Sequence, residues 1–207
     1  MGRHEPLIPR KKPSQARSRA TVDVILEAAA QVFGDQGYAA ATTNHIARRA
    51  GVSIGSLYQY FPNKDAILYS LMERHVREGY ELIARETEFM RQEGKITAPI
   101  IRRLIEAMLV FHEKDPVLHR VLFEEVRHVQ FWEEYQRNEN FAKKALEDLL
   151  EKTPGSRVKG RKGAVRLFSH TAEAMTHRFV LYGYDDLTRE EFIDEATDML
   201  SRYLLDI

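Results

Sequence analysis

Apolar residues recur along this chain at intervals of three and four, the period of a helix that buries one face. Val22, Ile25, Leu26, Ala29, Val32 and Phe33 keep that spacing over residues 17–36, predicting a first helix that Gly37 ends. Ile46, Ala47 and Ala50 place small apolar groups on one side of a short second helix, after which Gly51 supplies a turn with Val52 as its expected buried plug. Ser53 is a good N-cap, so a third helix begins at Ile54. Within it Leu57 and Phe61 lie four apart and face a core, leaving Ile54, Ser56, Gln59 and Tyr60 wholly or partly outward. Pro62 and Asn63 mark a break. Asn63 as N-cap and Asp65 in the first turn then open a long helix to about Arg91.

A turn at Gly94–Thr97 leads to a broad apolar face carrying Ile100, Ile101, Leu104, Ile105, Met108, Leu109 and Phe111. Pro116 begins another helix with Leu118, Val121, Leu122 and Val126, and Phe131, Trp132, Tyr135, Phe141, Leu146 and Leu149 continue the pattern. The glycines, proline and charges of residues 153–163 predict a mobile loop. Two further helices follow: Phe168, Ala172, Met175, Phe179 and Tyr182 repeat over 164–183, and Phe192, Ala196, Met199 and Tyr203, flanked by Ile193, Leu200 and Leu204, repeat after Thr188. Their apolar arcs are wider than one neighbour covers. Phe179, Tyr182, Phe192, Ala196, Met199, Leu200 and Tyr203 are therefore expected at a four-helix interface between two copies of the chain. The fold class expected is all-α.

Two short helices joined by a glycine turn, with small Gly55 and Ser56 at the tip of the second, suit insertion of a helix into the major groove of DNA. Small residues let a backbone approach base edges, while flanking groups hold phosphates. These residues resemble the TetR (tetracycline repressor) family of bacterial transcriptional regulators. The motif is carried by Thr42, Ile46, Ala47, Ala50, Gly51, Val52, Ser53, Gly55, Tyr58, Tyr60, Phe61, Asn63 and Lys64. It covers about the first third of the chain, counting the upstream helix; the rest is similar to the family in length and helical pattern.

The resemblance implies a three-helix, helix-turn-helix DNA-binding domain over 17–66, preceded by a basic arm at 1–16 and followed by a helical effector-binding and dimerisation domain over 67–207. By resemblance and reach, Ile54, Gly55, Ser56 and Gln59 carry base specificity, Thr43, Tyr58, Tyr60 and Lys64 mainly hold phosphate, and the cap residue Ser53 belongs to the same DNA-binding set. Ile54 lacks a hydrogen-bonding group, so it is limited to thymine methyls or to filling space. The long helix shared by both parts is a route for movement. The resemblance also implies a pocket for a small apolar or aromatic effector in the body, with Met108, Phe111, Phe123, Trp132, Phe168 and Met175 as candidate lining and His112 or His170 as a polar handle. The expected partners are a palindromic double-stranded operator, repressed by a homodimer, and that effector.

Charge sharpens this division. Thirty-one basic residues balance thirty-one acidic ones overall, but residues 1–70 hold nine against five, confining the attraction for phosphate to one end. Arg10, Lys11, Lys12, Arg17 and Arg19 suit an arm on DNA and a solubilising leader equally. The absence of cysteine excludes disulfides and thiolate chemistry and suits a reducing cytoplasm, and no apolar run approaches the ~18 residues that span a bilayer. No metal or cofactor is expected. His170 and His177 are too far apart on one helix to share an ion, and Glu125 with His128 forms a single Glu-x-x-His where di-metal carboxylate bundles need two. A bundle enzyme of that kind is thus the weaker alternative, beside a DNA-binding dimer controlled by a protein partner; no nucleophile motif argues for catalysis.

Overall fold

The computed structural model describes residues 16–116, 119–121, 143–161, 163–184 and 186–207. Among them are seven α-helices: α1 (Ala16–Ala40), α2 (Thr43–Arg49), α3 (Ile54–Tyr60), α4 (Lys64–Glu93), α5 (Ala98–Glu113), α6 (Ala164–Tyr182) and α7 (Arg189–Leu204). A further helical stretch covers 143–152. The described residues contain no strand, only an isolated antiparallel bridge between Ser156 and Leu205. They fall into two compact units. One, the head, runs through Arg77 and takes in 119–121; the other, the body, holds Glu78–Pro116 and the described residues from 143 onward.

The head closes on Ile25, Ala29 and Phe33 of α1, Ile46 of α2, Leu57 of α3, and Ile67 and Leu71 of α4, each almost wholly buried. The four-residue spacing Ile25–Ala29–Phe33 puts these side chains on one stripe, as the sequence predicts. Helix α1 does not stop at Gly37. It continues to Ala40 through a kink there, where φ of 74° and ψ of 159° are accessible to glycine because it lacks a Cβ. Asn63 caps α4 as expected, its Oδ1 accepting from the Ala66 amide at 2.8 Å.

The body closes on Ile101, Ile105 and Leu109 of α5, Phe168 and Ala172 of α6, and Phe192, Ile193, Ala196, Leu200 and Leu204 of α7, with α5 packed on both later helices. Phe192, Ala196 and Leu200, expected at an interface between copies, are 3%, 1% and 3% exposed within the single chain. The width of the α7 apolar arc is explained by two neighbours, α5 and α6, meeting it from different sides. Arg102 on α5 pairs with Glu106, Glu190 and Asp194, and Arg189 on α7 with Glu113, stitching α5 to α7 along the outer edge.

The loop after residue 152 is also held more firmly than its composition suggests. The Thr153 side chain is buried, accepting from the Ile96 amide at 2.9 Å and donating to the Leu149 carbonyl at 2.9 Å. Arg157 donates its amide to Leu204 O at 2.9 Å, and the Asp206 amide donates to Gly155 O at 2.7 Å. Polar composition marks turns, but here the turns spend their backbone groups on the chain's own end.

Helix α7 opens with a reciprocal cap: the Glu191 amide donates to Thr188 Oγ1 at 3.3 Å, while the Thr188 hydroxyl and amide donate to the Glu191 carboxylate at 2.7 and 2.8 Å. These two bonds, the hydroxyl's foremost, hold the Glu191 carboxyl below its ordinary value of 4.5. A lowered folded value means the cap's contribution is fully present above the unfolded value and is lost as pH falls through the folded one. Thr188→Ala should therefore lower the melting temperature at neutral pH, and the gap to wild type should narrow below pH 4.5, as followed by circular dichroism at several pH values.

Candidate nucleic-acid interface

Helix α2 begins at a Thr42 cap, whose hydroxyl accepts from the His45 amide at 3.2 Å, and Ala50 closes it. Gly51 turns the chain with φ of 65°. The Val52 amide returns to Ala47 O at 3.1 Å, and Val52 packs half-buried against the head core, a looser plug than expected. Ser53, in extended conformation, then caps α3, its Oγ accepting from the Ser56 amide at 3.0 Å and lying 2.8 Å from Ser56 Oγ. At the other end the Phe61 amide reaches Leu57 O at 2.9 Å. Leu57 and Phe61, 0% and 1% exposed, bolt α3 to the head.

The opposite side of α3 is open. Ile54 is 38% and Tyr58 40% exposed, with Ser53, Gly55 and Gln59 exposed beside them. A Cβ at Gly55 would meet nothing nearer than Ser53 Oγ at 3.9 Å, an ordinary contact, so space remains over the tip of the helix. Ser56 is half-buried and shares its hydroxyl with the cap. Thr43 is half-buried as well, and its Oγ1 lies 3.0 Å from the Tyr58 hydroxyl, tying the start of α2 to the middle of α3.

Two of the residues expected to hold phosphate also make contacts within the head. Tyr60 is half-buried against the head core, because it lies three residues from Leu57 and so shares the inward side of α3. Lys64 is turned back onto the end of α1, its ammonium donating to the carbonyls of Tyr38, Ala39 and Ala41. Sequence reasoning also missed Thr42 as the α2 cap, although Thr one residue before a short helix is itself the signal. It missed His45, whose Nδ1 lies 2.9 Å from Gln36 Oε1, and Arg48, exposed in the last turn of α2. Arg49 is engaged with Gln31 and Asp35, a surface pairing of small energetic weight.

The comparisons follow this geometry. A family model described as bacterial regulatory proteins of the tetR family matches residues 25–71, and one described as a tetracyclin repressor-like C-terminal domain matches 98–204. The chain belongs to the TetR family. Over 103 residues it is 38% identical to the transcriptional activator FasR of Mycolicibacterium smegmatis, covering 48% of this chain and 44% of FasR. Over 126 residues it is 31% identical to the nucleoid occlusion factor SlmA of Haemophilus influenzae, covering 61% and 53%. The chain thus spans about half the length of these curated relatives. A TetR-like regulator from Rhodococcus sp. RHA1 shares the fold with a TM-score of 0.62, at 22% identity over 92% of this chain and 97% of that one.

The TetR-type body holds the remaining expected residues. Met108 and Met175 lie half-buried against its core, Phe168 is 2% exposed within it, and Phe111 is half-buried with its ring 3.4 Å from where a Gly79 Cβ would stand. His112 is buried and its ring meets that of His177 edge-on at 5.8 Å. His170 is exposed, two positions round α6 from buried Phe168, so the inward imidazole of α6 is His177, which burial holds below its ordinary value. Phe123 and Trp132 lie outside the described residues. Of the expected interface residues, Tyr182 and Met199 are exposed at 58% and 46%, and Phe179 and Tyr203 pack half-buried on the core. No helix among the described residues is long and apolar enough to cross a membrane, and no group of three or more His, Cys, Asp or Glu is placed to hold a metal ion.

Because Ser53 Oγ serves both an amide and a neighbouring hydroxyl, Ser53→Ala should destabilise the protein by about 0.5–2 kcal/mol in denaturant titration. Ser53→Asp, which retains a capping oxygen, should restore most of that loss.

Proposed function

We propose that this protein is a cytoplasmic transcriptional regulator that places α3 of two copies into successive major grooves, about 34 Å apart on one face of a palindromic operator. The observation that carries the reading is the two-sided character of α3: Leu57 and Phe61 fixed in the core, with Ile54, Gly55, Tyr58 and Gln59 presented outward on a helix capped at its start. Gln59 offers the paired donor and acceptor that suit an adenine edge, while Ile54 meets thymine methyls. Tyr58, oriented by Thr43, holds phosphate. The reading involves no catalytic step.

Pairing of copies would use the outer side of the last two helices. Leu167, Ala174, Arg178 and Tyr182 are exposed at helical spacing on α6, and Met199 is exposed on α7. A small apolar or aromatic effector in the body, beside the buried imidazoles of His112 and His177, would shift operator affinity; a coupling of about 1–3 kcal/mol gives a roughly five- to 150-fold change. Repression is the expected output. Activation is the second reading, favoured by the likeness to a protein named an activator.

Selection of duplexes from a random pool, followed by fluorescence anisotropy, tests the central claim. Salt-dependent binding to a palindromic site is the expected outcome, and no preference for any duplex in dilute buffer overturns it. Tyr58→Ala should weaken binding to all duplexes alike, whereas Gln59→Ala should change which sequence is preferred. Leu167→Glu with Met199→Glu should leave the melting temperature nearly intact but convert dimer to monomer in sedimentation velocity; an unchanged dimer would exclude this surface.

A further inference from the structure

Two imidazoles meet at the edge of the head core. Nδ1 of His119, in the helical stretch 119–121, lies 3.1 Å from Nε2 of His75 on α4, with ring centroids 4.9 Å apart and planes inclined by 51°. His119 is 8% exposed and His75 is half-buried. Packing fixes the backbone on each side of the pair. Leu71, one turn before His75, is wholly buried in the head core, and Val121, two residues after His119, is 8% exposed within it. The two nitrogens are thus brought together by separate helical segments, 44 residues apart in the chain.

A hydrogen bond is one use of this geometry, one nitrogen donating and the other accepting. A shared cation is another. A tetrahedral ion with metal–nitrogen bonds of about 2.0–2.1 Å holds two nitrogens roughly 3.3–3.4 Å apart, so the rings need only part by about 0.2–0.3 Å and turn their lone pairs onto a common point. Each ring keeps one proton in that arrangement, His119 on Nε2 and His75 on Nδ1, and both coordinate as neutral imidazoles.

We propose that His75 and His119 form a two-histidine site for a borderline divalent transition cation, Zn²⁺, Ni²⁺ or Cu²⁺, which clips α4 to the 119–121 stretch. Imidazole nitrogen favours such ions over the hard cations Mg²⁺ and Ca²⁺, which take oxygen ligands. Two protein ligands fall short of the four of a closed structural site, so water completes the shell from the half-exposed side of His75 and the ion exchanges readily. Occupation is read in the free protein, so the site stands or falls apart from DNA recognition.

Full-length protein freed of metal by a chelator is titrated with ZnCl₂, NiCl₂ or CuCl₂ and followed by calorimetry and thermal melting. One ion per chain and a raised melting temperature are expected, with no shift from MgCl₂. His75→Gln and His119→Gln should each weaken binding on the order of tenfold or more and remove the rise in melting temperature. With one equivalent of Cu²⁺, electron paramagnetic resonance should show coupling to two imidazole nitrogens in wild type, a signature that a merely structural histidine pair lacks. No heat and no shift with any of the three ions, an equal shift with MgCl₂, or binding untouched in either variant overturns the proposal and leaves the pair hydrogen-bonded only. Should His119→Gln fail to fold, His75→Gln on the half-exposed side decides, and the copper spectrum of wild type needs no variant at all.

Discussion

A helix of seven residues falls well short of the roughly 12–15 that make an isolated helix even marginal in water, so α3 exists because its surroundings satisfy its ends and bury one side. Ser53 closes the start, the Phe61 amide closes the finish, and Leu57 and Phe61 anchor the inner face. The same requirement organises the rest of the head. Thr42 closes α2, Asn63 closes α4, and Lys64 closes the far end of α1. A small core suffices because each joint between helices is also a cap. Of the outward side chains of α3, Tyr58 also ties the helix to Thr43, while Ile54 and Gln59 stay exposed.

Much of this was legible in the sequence because caps and turns are local. Ser53 reaches Ser56, Asn63 reaches Ala66 and Thr188 reaches Glu191, each three residues on, and Gly51 needs only its own backbone conformation. Lys64 was not legible, since its partners lie 23 to 26 residues back and a charged side chain at a helix start looks solvated. Residues 153–163 misled for the same reason: the partners that pin them are at Ile96 and Leu204, far off in sequence. The apolar breadth of α7 said nothing of whose helices meet it, and within one chain α5 and α6 pack on Phe192, Ala196 and Leu200. His177, weighed only as a metal ligand, was not singled out as the inward imidazole because its inward turn depends on the rotation of α6 relative to α5, which neither helix encodes alone.

The body follows a different economy. Its core is large and mainly apolar, and on its outer edge Arg102 meets three carboxylates and Arg189 a fourth. Individually such exposed pairs weigh little, but a guanidinium shared by carboxylates on two helices fixes their register. Inside, Glu86 is a carboxylate 8% exposed and matched to Arg103, whose guanidinium lies over Phe89. His112 and His177 bring polarity inward as well, and burial holds His177 below its ordinary value, disfavouring its charged form.

The open space above Gly55 has an evolutionary meaning. Since its backbone is helical and an added methyl would touch only Ser53 Oγ at 3.9 Å, the scaffold tolerates alanine or serine there without strain. Any pressure to keep hydrogen at this position comes from whatever surface the helix tip must approach. A larger side chain at this exposed position would therefore alter the contour of the helix tip while leaving folding unburdened.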